Sequence, residues 1–230
     1  MVSNIDAAGT LRMFGEDAFC PESAERIGSI TPSISAFEIF LSIGADLGGR
    51  YPDDYEIFIN DGYDPEAQYR SCLENDARLS PFVITLNSNL NPFSAPRGRS
   101  AVSIIMLSGY GGWKRLSRRD YLDRKDEMAG ILIERASKVI PEIGSAVRHV
   151  TVSTPVTFER YTGNSCGAIY GYSGVFARRP GIRLNDLPGR GDLYFASAWA
   201  GQGSGVAKVL GAADEVYRKV SEKSIERSLA

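Results

Sequence analysis

The segment from Asp192 to Val220 constrains the fold more than any other part of this sequence. It begins with a mostly apolar and aromatic run, Leu193 to Trp199, which is typical of a buried strand. Alternating glycines from Gly201 to Gly205 then predict a turn, and Ser204 stands where it would cap a following helix. After that turn, apolar residues recur with the helical period at Val206, Val209, Leu210, Ala213, Val216, Tyr217 and Val220.

A helix that follows a glycine turn has two properties of an anion-binding site. Its first backbone N–H groups have no partner within the helix, and its dipole is positive at that end. Such an end can hold a phosphate or another developing negative charge. Alternatively, the glycines serve only to reverse the chain. The spacing alone favours this structural interpretation, because a short glycine pattern has low specificity.

The composition is that of a globular protein and excludes several classes of function. The chain has 230 residues, enough for one large or two small domains, and 43% of them are hydrophobic. A net charge of −2 gives no general electrostatic case for nucleic-acid binding. No apolar run approaches the roughly 20 residues of a membrane helix, so any membrane contact is expected to be peripheral.

Cysteine and histidine usage argues against a disulfide framework and a metal site. Cys20, Cys72 and Cys166 are far apart and odd in number, and no CxxC pair occurs. His149 is the single histidine, which excludes a multi-histidine metal centre. The N-terminus lacks the features of a signal peptide, so a cytoplasmic location is expected.

The pattern of elements predicts an α+β fold with one mixed β-sheet covered by a long helix. The region from Thr157 to Tyr172 is rich in Gly, Thr and Tyr, which predicts a loop close to a ligand. Strands are predicted over Ser33–Ile43, Tyr55–Asn60, Pro81–Leu86, Ala101–Leu107 and His149–Thr154, and helices over Ala7–Phe14, Pro21–Ile27, Asp64–Glu74 and Ser117–Ile140.

Several short motifs, in order, resemble the C-terminal half of the phytoene desaturase and carotenoid isomerase family, which are FAD-dependent flavoproteins related to amine oxidases. Together they span nearly the whole chain. The similar segments are Ser3–Asp6 (SNID), Ser35–Phe37 (SAF), Asn91–Gly98 (NPFSAPRG), Thr154–Gly163 (TPVTFERYTG), Gly167–Gly171 (GAIYG) and Leu193–Gly211.

The resemblance implies a division of the chain between two domains. Residues 1–8 would be a residual FAD-domain segment, 9–188 a substrate-domain-like region built on a mixed sheet, and 189–230 a C-terminal FAD-domain segment. The helix after Gly205 would then point its N-terminus at the flavin of FAD. There the negative charge of the reduced ring would meet the positive end of the helix dipole.

Two sets of site residues follow from this resemblance. The FAD-binding set is Trp199, Gly203, Ser204, Gly205 and Val206. The substrate-side set is Arg160, Tyr161 and Tyr170. Each of the latter also has a structural interpretation, which is an ion pair of Arg160 with Glu159 or Asp192 and simple packing of the two tyrosines. No general acid or base is assigned, although Glu159 and Asp61 are available.

The sequence also departs from the family pattern. The family binds the pyrophosphate of FAD with a G-x-G-x-x-G fingerprint. No such fingerprint occurs in the 230 residues. Ser197 stands where the family usually has Gly, and Ala198 where many relatives have an acidic or polar residue. The affinity of this chain alone for FAD is therefore in question.

Three hypotheses follow. In the first, this chain is one subunit of a split FAD-dependent oxidoreductase that acts on an apolar, polyene- or isoprenoid-like substrate by desaturation, saturation or isomerisation. A separate Rossmann-type FAD-binding subunit would then complete a heterodimer, since Met1 falls close to the boundary at which the FAD domain of the family ends and the substrate domain begins. In the second, the chain is a non-catalytic binding or scaffold protein derived from such an enzyme. In the third, the 230 residues are part of a longer chain.

Overall fold

A computed structural model describes residues 1–15, 19–173, 184–186, 193–201 and 203–229, with side chains up to Lys223. Two compact units are present. One is Ser35–Phe158, and the other combines Met1–Ile34 with Glu159–Ala230. We call them the sheet unit and the terminal unit.

The α+β class predicted from the sequence is confirmed. The strands are β1 (Val2–Ser3), β2 (Ser35–Ile43), β3 (Glu56–Ile59), β4 (Phe82–Leu86), β5 (Ser100–Ser108), β6 (Val147–Ser153) and β7 (Tyr194–Phe195). The helices are α1 (Ala7–Phe14), α2 (Pro21–Gly28), α3 (Pro65–Glu74), α4 (Asn87–Leu90), α5 (Arg118–Ser137), α6 (Glu142–Ser145), α7 (Pro155–Thr162) and α8 (Val206–Leu229).

The sheet unit contains a five-stranded sheet in the order β3-β4-β5-β2-β6. A mixed sheet was expected, but each of its four pairings is antiparallel. The parallel pairing lies instead in the terminal unit, between β1 and β7. The sequence could not distinguish these arrangements, because an alternating pattern shows that a strand is half-buried without specifying the direction of its neighbour.

One face of this sheet carries the core of the sheet unit. Side chains on β2 alternate so that Phe37, Ile39 and Leu41 are buried on that face, and the buried Leu132 and Ala136 of α5 belong to the same apolar cluster. The helix α5 begins where Ser117 caps it, since the Ser117 hydroxyl oxygen accepts from the Asp120 N–H at 3.2 Å. This agrees with the long helix predicted from the apolar period.

The terminal unit is assembled by long-range backbone pairing. Val2 and Ser3 of β1 pair in parallel with Tyr194 and Phe195 of β7. Residues 31–34 bond to residues 169–173, as in the 2.9 Å bond from the Ser33 N–H to the Gly171 carbonyl. A second apolar cluster fills this unit, and it includes Ala7, Ile27, Tyr172, Phe195, Trp199 and Ala212.

These contacts divide the chain differently from the sequence-based boundaries. Residues 9–34 and 159–173, assigned to the substrate-domain-like region, pack with the terminal segments, whereas the sheet unit runs from Ser35 to Phe158. Residues 174–183 and 187–192, which include the predicted boundary at residue 189 and Asp192, lie outside the described residues.

The predicted loop from Thr157 begins inside a helix. Here α7 spans Pro155–Thr162, and local signals explain its start. Thr154 precedes the proline, and its N–H donates to the Thr157 hydroxyl at 3.1 Å. The Thr157 N–H in turn lies 3.4 Å from the Thr154 hydroxyl. Reciprocal capping and a proline at the first helical position stabilise a helix start despite the β-branched composition.

Candidate functional site

The turn before α8 has the backbone geometry that its glycines permit. Gly201, Gly203 and Gly205 have φ values of +96°, +104° and +95°. A side chain at these positions would be strained, so the three glycines are required by conformation. The Gly205 carbonyl accepts the first helical bond, from the Val209 N–H at 3.0 Å. Gly205 is therefore the N-cap, and the predicted cap, Ser204, lies one residue too early.

The start of α8 is accessible. Val206, its first residue, is 78% exposed. A Cβ added at Gly205 would meet no atom within 4 Å. Gly203 is buried and Ser204 is half-buried. A small or planar anionic group could therefore approach the first turn of α8, where the helix dipole is positive.

Trp199 lies in the core of the terminal unit rather than on its surface. It is 3% exposed, and its ring centroid is 6.4 Å from that of Tyr172. It belongs to a short 3-10 turn, Ala198–Ala200, whose cap is Ser197. The Ser197 hydroxyl oxygen accepts from the Trp199 N–H at 3.1 Å. The departure from glycine at position 197 thus has a local structural role.

Tyr170 is placed beside this turn by a close backbone approach. A Cβ added at Gly171 would lie 2.5 Å from the Ala198 carbonyl oxygen. The backbone at Gly171 therefore packs directly on the 3-10 turn. The next residue, Tyr172, packs on Trp199 of the same turn. Tyr170 itself is 42% exposed. Gly171 thereby holds Tyr170, of the substrate-side set, beside the turn that contains Trp199 of the FAD-binding set.

Arg160 and Tyr161 lie on the last turn of α7 and are exposed. The Arg160 guanidinium carbon lies 5.8 Å from the Tyr161 ring centroid. Within the described part of the chain, Arg160 forms no ion pair. Its suggested partner Glu159 accepts instead from the Cys166 N–H, at 3.3 Å. The other suggested partner, Asp192, lies outside the described residues.

Asp6 organises the terminal unit in a way that sequence analysis detected only in part. It caps α1, because its Oδ1 accepts from the Ala8 N–H at 2.9 Å. Its Oδ2 accepts from both the N–H of Ser165, at 2.7 Å, and the Ser165 hydroxyl. The residue is 2% exposed. An acidic side chain directly before a predicted helix is a common N-cap, but no local pattern indicates a partner 159 residues away.

Glu38 is an ionisable residue that sequence analysis did not single out. It lies on the face of the sheet opposite the core, with Ile105 and Ser153 as its cross-strand neighbours. Burial raises the pKa of its carboxyl group above the ordinary value of 4.5. The two acids considered from sequence have structural partners, since Asp61 pairs with Arg135 and Glu159 accepts from Cys166.

Comparisons with known proteins show a likeness of fold. No protein-family model matches the sequence, and no curated protein matches it significantly. The chain is similar in structure to an oxidoreductase from Methanosarcina mazei, with a TM-score of 0.50 and 17% identity. The match covers 94% of this chain and 42% of the other, so this chain spans less than half the length of that neighbour.

The resemblance to the phytoene desaturase and carotenoid isomerase family stays a prediction, because identity this low supports a likeness of fold only. Among the helices of the described residues, none combines the length and apolar character needed to cross a bilayer.

Proposed function

We propose that this protein is a subunit of an FAD-dependent oxidoreductase that acts on an apolar, polyene- or isoprenoid-like substrate by desaturation, saturation or isomerisation. A separate Rossmann-type subunit supplies the dinucleotide-binding half. The observation that carries the proposal is the exposed start of α8 behind three glycines of positive φ. The likeness of fold to an oxidoreductase supports it.

The residues of the turn fit one edge of a flavin ring. Gly205 leaves open space where a side chain would stand, and the first N–H groups of α8 follow it directly. Bound flavin supplies the capacity to accept or return a hydride. The chain contributes backbone N–H donors and a helix dipole. A hydrogen bond from such a donor to a charged group stabilises that charged group by about 1.5–3 kcal/mol.

The 230 residues account for only part of an FAD site. No G-x-G-x-x-G sequence is present, so the pyrophosphate would be held by the partner subunit. Tyr170, packed beside the 3-10 turn through Gly171, is assigned to the substrate side together with Arg160 and Tyr161. Ser204 and Val206 would contact the ring edge through their backbone, whereas the buried Trp199 would support the turn from behind.

A non-catalytic binding or scaffold protein is the second candidate. It is favoured by the burial of Trp199 and by the use of the Ser197 hydroxyl as a cap, because both side chains then have a structural role within the terminal unit. This candidate predicts that a polyene binds without flavin, even when the partner is present.

The test is an absorption spectrum of the protein purified after co-expression with the product of a neighbouring gene, next to a spectrum of the protein purified alone. The proposal predicts a flavin spectrum only in the complex. Gly205→Val should abolish it, because valine is strained at φ +95° and fills the open space. Gly98→Val is the matched control, since Gly98 has φ +75° and equally open surroundings in the sheet unit. A flavin-free complex would refute the proposal and favour the second candidate.

A further inference from the structure

A small cavity in the sheet unit contains an unsatisfied hydrogen-bond acceptor. The cavity has a volume of about 190 Å³ and is lined by the loop after β2, by α4 and by the segment that follows α4. Asn89 is one of its lining residues, and the buried amide oxygen of Asn89 has no hydrogen-bond partner among the described residues. Burying an amide oxygen without a hydrogen bond costs free energy. The cavity therefore favours a ligand that donates a hydrogen bond to this oxygen.

Two backbone carbonyls fix the orientation of the Asn89 amide. Its Nδ2 donates to the Tyr51 carbonyl at 2.6 Å and to the Asp54 carbonyl at 2.7 Å. A flipped amide would place its oxygen against both carbonyls and lose both bonds, so the unpaired atom is the oxygen. The position of this acceptor is therefore set by the loop that contains Tyr51 and Asp54.

A second acceptor lies near the first, beside Gly48. A Cβ added to Gly48 would lie 3.4 Å from Asn89 Oδ1 and 3.4 Å from Asp46 Oδ1. Outside Gly48 and its two chain neighbours, these oxygens are the only described atoms within 4 Å of that point. A carboxylate and an amide oxygen beside one space suit an ammonium group, which has three N–H donors and a positive charge.

Two arginines, Arg97 and Arg99, line the same cavity. Within the described part of the chain, neither arginine forms an ion pair, and Asp46 forms none either. Opposite charges that line one cavity without pairing leave space between them for a ligand that carries both charges. Guanidinium groups bind phosphate oxygens with paired hydrogen bonds, so the arginines suit a phosphate.

The balance of charge indicates the form of this ligand. Arg97, Arg99 and Asp46 sum to one positive charge. A phosphate monoester carries about −1.5 to −2 at pH 7, so a molecule with one ammonium and one such phosphate has a net charge close to −1. It would neutralise the site, whereas a metal cation would add positive charge beside two arginines. The cavity is smaller than the roughly 300–1,000 Å³ of sites for drug-sized ligands, which favours a small molecule.

We infer that this cavity binds a small primary amine that also carries a phosphate group. The ammonium donates to Asp46 and Asn89 beside Gly48, and the phosphate accepts from the two arginines. The inference is independent of the proposed function, because the cavity lies wholly in the sheet unit and contains none of the FAD-binding or substrate-side residues. It gives a role to the segment Asn91–Gly98, which the proposed function does not use.

Isothermal titration calorimetry of the full chain tests the inference with three probes. They are O-phosphoethanolamine, inorganic phosphate, and phosphocholine, in which methyl groups replace the N–H donors. We expect O-phosphoethanolamine to bind at least tenfold more tightly than either of the others, because it alone combines the phosphate with N–H donors for the two oxygens.

Gly48→Ala tests the position of the ammonium without a change of charge. Its methyl group would lie between the two oxygens in ordinary contact, so we expect an unchanged fold and at least tenfold weaker binding of O-phosphoethanolamine. Gly49→Ala is the matched control, because Gly49 does not line the cavity and a Cβ there would meet only Asp46 Oδ2, at 3.9 Å. Arg97→Gln should weaken the binding of O-phosphoethanolamine and of inorganic phosphate alike. Urea unfolding checks that each variant is folded.

The same two groups occur in the headgroup of phosphatidylethanolamine, where the phosphate is a diester. Co-sedimentation with phosphatidylcholine vesicles, with and without phosphatidylethanolamine, distinguishes the two sources. Binding of O-phosphoethanolamine without binding of vesicles identifies a soluble ligand. Binding that requires both phosphatidylethanolamine and Gly48 identifies the lipid.

Three results would overturn the inference. In the first, the wild-type protein binds neither the free probes at millimolar concentration nor the vesicles. In the second, phosphocholine or inorganic phosphate binds as tightly as O-phosphoethanolamine, which would exclude a role for the ammonium. In the third, a folded Gly48→Ala variant binds as the wild type does, which would place any bound ligand elsewhere.

Discussion

The α-carbon of Gly171 lies so close to the carbonyl oxygen of Ala198 that no side chain fits between them. This approach holds the segment with Tyr170 against the 3-10 turn with Trp199. Two motifs that are about 30 residues apart in the chain thereby form one structure. The tightness of the contact between Gly171 and Ala198 therefore affects how well the segment before α8 is positioned.

Gly171→Ala should lower the free energy of unfolding by about 2–4 kcal/mol. Overpacking against a backbone carbonyl costs about 1–3 kcal/mol, and the positive φ adds about 1 kcal/mol. Gly98→Ala is the control, because it has a similar φ and no neighbour within 4 Å. Urea unfolding of both variants isolates the steric part. Equal losses would show that the Gly171–Ala198 approach is loose in solution.

Asp6→Ala should destabilise the protein by about 2–4 kcal/mol. It removes an N-cap, worth about 1 kcal/mol, and leaves two donors of the half-buried Ser165 without their partner at a further 1–3 kcal/mol. Asp64→Ala, which removes the exposed cap of α3, should cost only about 1 kcal/mol. A double-mutant cycle with Ser165→Ala should show coupling above 0.5 kcal/mol. Additive losses would contradict the Asp6–Ser165 bond.

Trp199→Ala should cost about 3–5 kcal/mol, since it removes a buried aromatic side chain from the core of the terminal unit. Tyr161→Ala, at a position that is 79% exposed, should stay within about 0.5 kcal/mol. Thermal and urea unfolding measure both. If Trp199→Ala left stability unchanged but abolished flavin binding, the indole would contact the cofactor directly rather than support the turn.

Glu38→Gln should change how stability depends on pH. The folded-state pKa of Glu38 is raised, so the unfolded chain loses its proton at lower pH than the folded chain. Stability is therefore lost as pH rises from the unfolded pKa through the folded pKa. The glutamine variant should lack this loss. A series of urea titrations from pH 3 to pH 8 tests it, and parallel curves for the two proteins would argue against a buried carboxyl.

Local patterns were sufficient for most elements of the sheet unit. The predicted helix from Asp64 and the observed α3 share their N-cap, because a capping side chain and a following proline act within a few residues. The same applies to α5 behind Ser117. At α7, composition misled the prediction, since the reciprocal bonds of Thr154 and Thr157 outweigh weak helix propensity.

The sequence by itself determined the glycine turn before α8, because three residues of positive φ require glycine whatever surrounds them. It also determined that α8 carries a broad apolar arc. Tertiary structure alone decided that Ala212 and Val216 are buried whereas Leu210 and Tyr217 are exposed. It likewise decided that Asp6 bonds to Ser165. Periodicity predicts which side chains favour burial. Which of them are buried depends on segments that come into contact only after the chain has folded.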